Sequence, residues 1–245
     1  MPWDFALILI LLGVVVPWRG AVRVRQIMSR PQLATSDRLT LYSSTIAFQW
    51  FAAGVVFWRC AAHALSAVDL ALSAGNNTLR TALAAAVLTP LLAAVQLASL
   101  RRFAQLPADK RGFLVQLQFK LMPQNAAERL VFLALVTTAA ICEEFLYRGF
   151  VQAVFQNLPR SNVLVGVLAS AAFFAIAHSY QGRRGVAATF TVGLIFSAVR
   201  STTGSLVPSV LAHFATDLLA GVLGPRAVRT VVPAPAEVNS KNGAY

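Results

Sequence analysis

Three short segments in the second half of the chain place ionisable side chains inside apolar sequence. They are Glu143, Glu144 and Arg148 in ICEEFLYRGF, His178 at the end of FFAIAHSY, and His213 with Asp217 in LAHFATDLL. Charged groups in such surroundings are expensive to keep, which makes them functional candidates by default. Glu144 and Arg148 stand four residues apart, so on a helix they share a face and can pair. Glu143 points about 100° away from that face and lacks the partner. An unpaired carboxylate in an apolar site is suited to take a proton from water as a general base. His213 and Asp217 are also four apart and face one way, while His178 falls on a separate helix. If the three helices converge, Glu143, His178, His213 and Asp217 meet in one polar pocket.

Such a pocket suits hydrolysis in two ways. In one, Glu143 with His178 deprotonates water, and His213 with Asp217 stabilises the oxyanion. In the other, His178, His213 and a carboxylate hold a zinc ion, with Glu143 as ligand or base. No serine has the context of a catalytic triad, and Cys142 has no activating histidine near it in sequence. Each cluster also has a plainer role. Glu144 and Arg148 can staple a helix, His178 can hydrogen-bond between helices, and His213 with Asp217 can form a structural pair or a proton path. Three such clusters on separate, otherwise charge-poor segments favour a shared site.

The elements that must position these residues are membrane helices. The chain has 245 residues, of which 57% are hydrophobic and 12% charged. A soluble domain carries roughly 25% charged residues, about twice this fraction. That composition excludes a soluble enzyme, a disordered chain and a coiled coil. The two cysteines, Cys60 and Cys142, exclude a disulfide scaffold and an all-cysteine zinc site. Seven apolar runs follow one another: about Phe5 to Trp18, Leu41 to Ala62, Leu79 to Leu100, Leu130 through Cys142 towards Leu158, Val163 to His178, Val186 to Val199, and Leu206 to Leu223. Several fall short of the ~20 residues of a simple span. A break in the fourth run would make eight helices. The expected fold is thus all-α, a polytopic membrane protein of about seven to eight transmembrane helices around an intramembrane cavity.

Charge tests that layout. The first run has no basic residue before it and begins Met1-Pro2-Trp3-Asp4, which suggests a retained anchor with its N-terminus outside rather than a signal peptide. Alternating from there, the inside loops and the C-terminal tail hold sixteen basic residues. The outside segments hold four, Arg59, Arg80, Arg160 and Arg200. The net charge of +12 therefore reads as a surface for anionic lipid, with no nucleic-acid partner. Phe113 to Met122 mixes apolar and polar residues and suits the interface. The tail from Pro225 to Tyr245 is rich in Pro, Ala and polar residues and reads as disordered.

With the residues set out, a resemblance is visible. Glu143-Glu144-Phe145-Leu146-Tyr147-Arg148 resembles the E-E-x-x-x-R motif of the CPBP family of intramembrane proteases, which includes the type II CAAX prenyl endopeptidases and the Abi and bacteriocin-immunity proteins. Phe174-Ala175-Ile176-Ala177-His178 is similar to its F-x-x-x-H motif, and His213-Phe214-Ala215-Thr216-Asp217 to its H-x-x-x-N or H-x-x-x-D motif. The order and spacing of the set also fit, over about Leu130 to Leu223. The apolar runs, charges and composition give N-terminal helices and basic loops over residues 1–128 and a disordered tail over 224–245, and the resemblance implies a catalytic core over 129–223. It implies an endopeptidase in which Glu143 activates water with His178, Glu144 and Arg148 orient the site, Phe174 packs beside it, and His213 and Asp217 hold the oxyanion. The zinc alternative stays open. Asp217 stands where the family often has Asn; an ionised Asp donates no hydrogen bond, so its role would be to orient His213, to act protonated, or to bind metal. The implied partner is a peptide or protein substrate, prenylated or not; low cysteine and compact loops suggest a bacterial inner membrane, and the basic loops a cytoplasmic C-terminus. The competing reading is a non-catalytic membrane scaffold or immunity protein.

Overall fold

In a computed structural model, residues 1–105 and 112–229 are described, and among them the protein is all helical. The helices are α1 (Trp3–Ser29), α2 (Thr35–Ala62), α3 (Thr78–Gln105), α4 (Phe113–Leu121), α5 (Ala126–Gln156), α6 (Val163–Ala177), α7 (Gly182–Thr203) and α8 (Val207–Arg229). Six of them are long and apolar enough to cross a membrane. The fifth apolar run, α6, has only 15 residues. At 1.5 Å per residue it spans about 22 Å, less than the ~30 Å of a hydrocarbon core, so the seven expected passes comprise six long helices and one short one, α6, that returns the chain between α5 and α7.

Other boundaries also move. The first run extends well beyond Trp18 to Ser29, so Arg19, Arg23 and Arg25 are helical. A π-helical turn over Leu11–Val15 precedes Pro17 and widens the helix where the proline removes a backbone donor. The fourth run is one helix of 31 residues, with no break. It carries a π-helical stretch over Glu144–Val151 instead. The last helix continues through Pro225 to Arg229, past the expected start of the tail; residues 230–245 of that tail lie outside the described residues.

The bundle is pinned at both ends by polar contacts. At one end the Asp4 carboxylate accepts from Arg59 Nε at 2.6 Å and meets His63 Nε2 at 2.9 Å, tying the start of α1 to the end of α2. At the same end Arg200 donates to Gln156 Oε1 at 2.9 Å and to the Asp69 carbonyl at 2.6 Å, joining the ends of α7 and α5 to the α2–α3 loop. In that loop the Ser66 hydroxyl and backbone N–H donate to Asp69 and hold its carboxyl below the usual range. At the other end Arg38 grips Glu128 through two hydrogen bonds, Nε at 2.8 Å and Nη2 at 3.0 Å, joining the starts of α2 and α5. Lys120 of α4 donates to the last carbonyls of α1, at Ile27, Met28 and Arg30. A cation there satisfies carbonyls that the helix leaves unpaired. These pairings require neighbouring passes to alternate in direction, as the apolar runs and their loops predict.

Between the ends, packing is apolar and close. The α3–α8 and α6–α7 pairs make the most extensive contacts, and α5 is enclosed by α2, α6 and α8. A Cβ on Gly193 of α7 would lie 3.0 Å from the Cα of Ala171 on α6, so the two backbones touch. Gly204, at φ +69°, ends α7 in the left-handed conformation that glycine adopts without a steric penalty, and its N–H caps the Arg200 carbonyl at 2.8 Å. Phe5, Leu12, Val56, Phe150 and Phe174 belong to the core shared by α1, α2, α5 and α6.

The Arg38–Glu128 pair gives a direct test of this framework. Glu128→Gln leaves the Arg38 guanidinium facing a neutral partner in a buried site and should cost about 3–5 kcal/mol. Replacing both residues by apolar ones should cost much less. Thermal unfolding in detergent micelles reads both; equal losses for the single and double variants would contradict the pairing.

Candidate active site

The site is built on the middle of α5, where the helix changes its winding. Glu143 is the last residue of the α-helical part, and the π-helical stretch starts at Glu144. A π-helical turn has more residues per turn, so it rotates the following side chains relative to an α-helix. Glu144 and Arg148 still pair, Nη1 to Oε1 at 2.9 Å, and both are fully buried. The same carboxylate oxygen meets His213 Nδ1 of α8 at 3.0 Å. One glutamate thus ties a cation on its own helix to a histidine on another.

Arg148 has little else to bond. Its Nε and Nη2 are buried without a hydrogen-bond partner. Its guanidinium lies instead over two rings, 4.1 Å from the centroid of Phe174 and 5.2 Å from that of Phe196. A planar cation with diffuse charge is suited to that place, and a lysine ammonium is not. Phe174 is the hub of the cluster. Its ring meets those of His178 at 4.5 Å, Tyr147 at 5.3 Å and His213 at 6.1 Å.

The two histidines are held differently. His178 follows the last residue of α6, and its Nδ1 lies 2.8 Å from the Phe174 carbonyl. That contact requires a hydrogen on Nδ1 and leaves the Nε2 lone pair free in the neutral ring. His213 is buried, with Nδ1 on Glu144 and Nε2 facing Asp217 Oδ2 at 3.5 Å. Asp217 therefore borders the histidine it was expected to orient, at a distance longer than a hydrogen bond. Tyr180 lies between the elements: its ring is 5.8 Å from His178, and it is within electrostatic reach of both Glu143 and Asp217.

Glu143 makes no hydrogen bond or ion pair with this network, although its charge acts on Arg148. It is half-buried and accepts a hydrogen bond from Gln49 Nε2 of α2 at 2.7 Å. The structure shows no hydrogen bond between Glu143 and His178. The pocket expected from sequence is therefore layered. Glu144, Arg148, His213 and Asp217 are in contact with one another, His178 joins them through Phe174, and Glu143 faces α2. Gln49 is the residue the sequence reading missed. Its signal was an amide within the apolar run SSTIAFQWFAAGVV, which needs a partner in such surroundings.

Zinc was one expectation for His178, His213 and Glu143. Among the described residues, no three His, Cys, Asp or Glu side chains are grouped to hold a metal ion. The nitrogens of His213 face Glu144 and Asp217, His178 Nδ1 is on a carbonyl, and Glu143 is on Gln49. The donor set does not fit zinc in this arrangement. Cys142 and Cys60 are free, fully buried thiols.

The comparisons fall on this part of the chain. Residues 125–219 match the family model described as type II CAAX prenyl endopeptidase Rce1-like. That Rce1-like segment starts at the cap of α5, ends inside α8 and contains all three motifs. A protein of Escherichia coli described as an uncharacterized 24.3 kDa protein is 34% identical over 96 residues, which are 39% of this chain and 44% of that protein. The chain therefore spans less than half the length of the curated relative it matches. No solved structure matches. The Rce1-like segment leaves out α1 to α4, and so leaves out Gln49.

Arg148→Lys keeps the charge but loses the planar contact with Phe174 and Phe196. We expect it to cost about 2 kcal/mol or more, read as a lowered thermal midpoint in micelles. An unchanged midpoint would show that charge alone is enough at this position.

Proposed function

We propose that the protein is an intramembrane endopeptidase of the CAAX-protease type, in which Glu143 activates the attacking water. The observation that carries this reading is the division between two adjacent glutamates. Glu144 is hydrogen-bonded to Arg148 and His213, whereas Glu143 makes no ion-pair contact, receives an amide hydrogen bond and feels the Arg148 charge only from a distance. The motif-bearing segment's match to the Rce1-like family supports the same reaction class.

In this reading Glu143 takes a proton from water as the hydroxide adds to the carbonyl carbon of the scissile peptide bond. His178 assists through its free Nε2. The negative charge that develops on the carbonyl oxygen is met by His213, which Glu144 holds through Nδ1 and Asp217 borders at Nε2. When the tetrahedral intermediate collapses, the C–N bond breaks and the leaving amine takes the proton from Glu143. Water is thus divided between the two products, and no metal takes part in a step.

The membrane orientation belongs to the same proposal. The N-terminus lies outside and the C-terminus inside, as the basic loops suggest. His178 then lies at the cytoplasmic end of the short helix α6, and Arg183 and Arg184 follow it on the same side. A site displaced in that direction suits a peptide bond near the cytoplasmic surface of a bacterial inner membrane. The substrate would be a peptide or membrane-attached protein, with or without a prenyl group.

The test compares peptide termini in membranes and medium of cells expressing wild type or Glu143→Ala at matched folded levels. Loss of a general base lowers rates by about 10²–10⁴, so termini seen with wild type should vanish in the variant. Identical termini in both would sink the assignment of Glu143. No wild-type-specific termini in any host tried would favour the scaffold role.

A further inference from the structure

Gln49 is placed where the proposed base needs support. It sits in the middle of α2, outside the Rce1-like segment, and its Nε2 donates to Glu143 Oε1 at 2.7 Å. A hydrogen bond to an ionised oxygen is among the stronger kinds, and it fixes which way the carboxylate faces. The other end of the same amide is unsatisfied: Gln49 Oε1 is buried with no hydrogen-bond partner. A bare buried acceptor costs about 1–3 kcal/mol. An apolar residue at this place would avoid that penalty.

Helix docking does not require this amide. Next to it, Trp50 Nε1 donates to Thr138 Oγ1 at 3.1 Å, and Arg38 grips Glu128 near the start of the same two helices. The α2–α5 contact is therefore secured by pairs that do not involve Gln49. What the amide adds is a donor on the carboxylate and an acceptor beside it. A water held at a buried site needs two to four polar partners. A carboxylate and a neighbouring amide oxygen supply two.

We propose that Gln49 is a positioning residue for the reaction. Its N–H sets the orientation of the Glu143 carboxylate, and its Oε1 accepts a hydrogen from the water that Glu143 activates. This rests on the hydrolytic role given to Glu143 above. Gln49→Met keeps the length of the side chain and removes both polar groups. Gln49→Asn keeps both groups but withdraws them by about one C–C bond, ~1.5 Å. A misplacement of that size costs on the order of 10²-fold in rate.

The experiment has two readouts. Infrared difference spectra between wild type and Glu143→Gln isolate the carboxylate bands of Glu143, and the same difference is taken in the Gln49→Met background. The bands should shift when the donor is lost. In cells, wild-type-specific termini should form at least tenfold more slowly with Gln49→Met or Gln49→Asn at matched folded levels. Trp50→Phe, which removes the neighbouring contact between the same helices, should change neither readout. Unmoved bands, wild-type rates in both Gln49 variants, or an equal slowing by Trp50→Phe would each overturn the proposal. Absence of wild-type-specific termini would remove the hydrolytic reading, and this inference with it, whatever the infrared spectra show.

Discussion

The arrangement of the site depends on one buried cation. Arg148 has no access to water and a single carboxylate in contact with it, with the charge of Glu143 acting from a distance, so the fold must supply everything else that a guanidinium requires. It does so with two aromatic faces from two helices, Phe174 of α6 and Phe196 of α7. Glu144, held by that cation, in turn reaches His213 of α8. Four helices thus meet around one charge. An uncompensated buried charge is so costly that these partners cannot separate without unfolding the region. The network is a clamp, and its rigidity is what fixes the distances between the groups beside it.

Seen this way, the paired glutamates have opposite duties. They are consecutive residues at the point where the winding becomes π-helical, and the roughly 100° between successive helical side chains points them at different neighbours. Glu144 turns into the clamp and Glu143 towards α2. A base that must accept and release a proton cannot also be the counter-ion of a buried arginine, because each protonation would leave that cation unpaired. Placing the two functions on adjacent residues resolves the conflict within one turn of helix. The polar contacts at the bundle ends, Arg38 with Glu128 and Asp4 with Arg59 and His63, then hold α2 in register with α5 and α1.

Much of this was legible in the sequence because membrane sequences are sparse in charge. Each ionisable residue in an apolar run needs a reason, and Glu143, Glu144, Arg148, His178, His213 and Asp217 stood out on that ground. The i,i+4 spacing gave the Glu144–Arg148 pair correctly. Spacing within one helix says nothing about contacts between helices, however. His213 was expected to pair with Asp217, four residues on, yet its shorter contact is with Glu144, on α5. Gln49 was passed over because an uncharged amide barely disturbs a hydrophobic run. The length of α1 was underestimated because arginines at the end of a span read as loop although a helix carries them without strain. The shortness of α6 was already visible in its apolar run, which falls below the length of a simple span.

The most direct measurement of the opposite duties is the folded fraction of Glu144→Gln beside that of Glu143→Gln, from thermal unfolding of each purified variant in the same micelles. The account predicts that Glu144→Gln loses about 3–5 kcal/mol, because it removes the only carboxylate in contact with the buried Arg148, while Glu143→Gln stays within about 1 kcal/mol of wild type. Equal losses, or the reverse order, would contradict it.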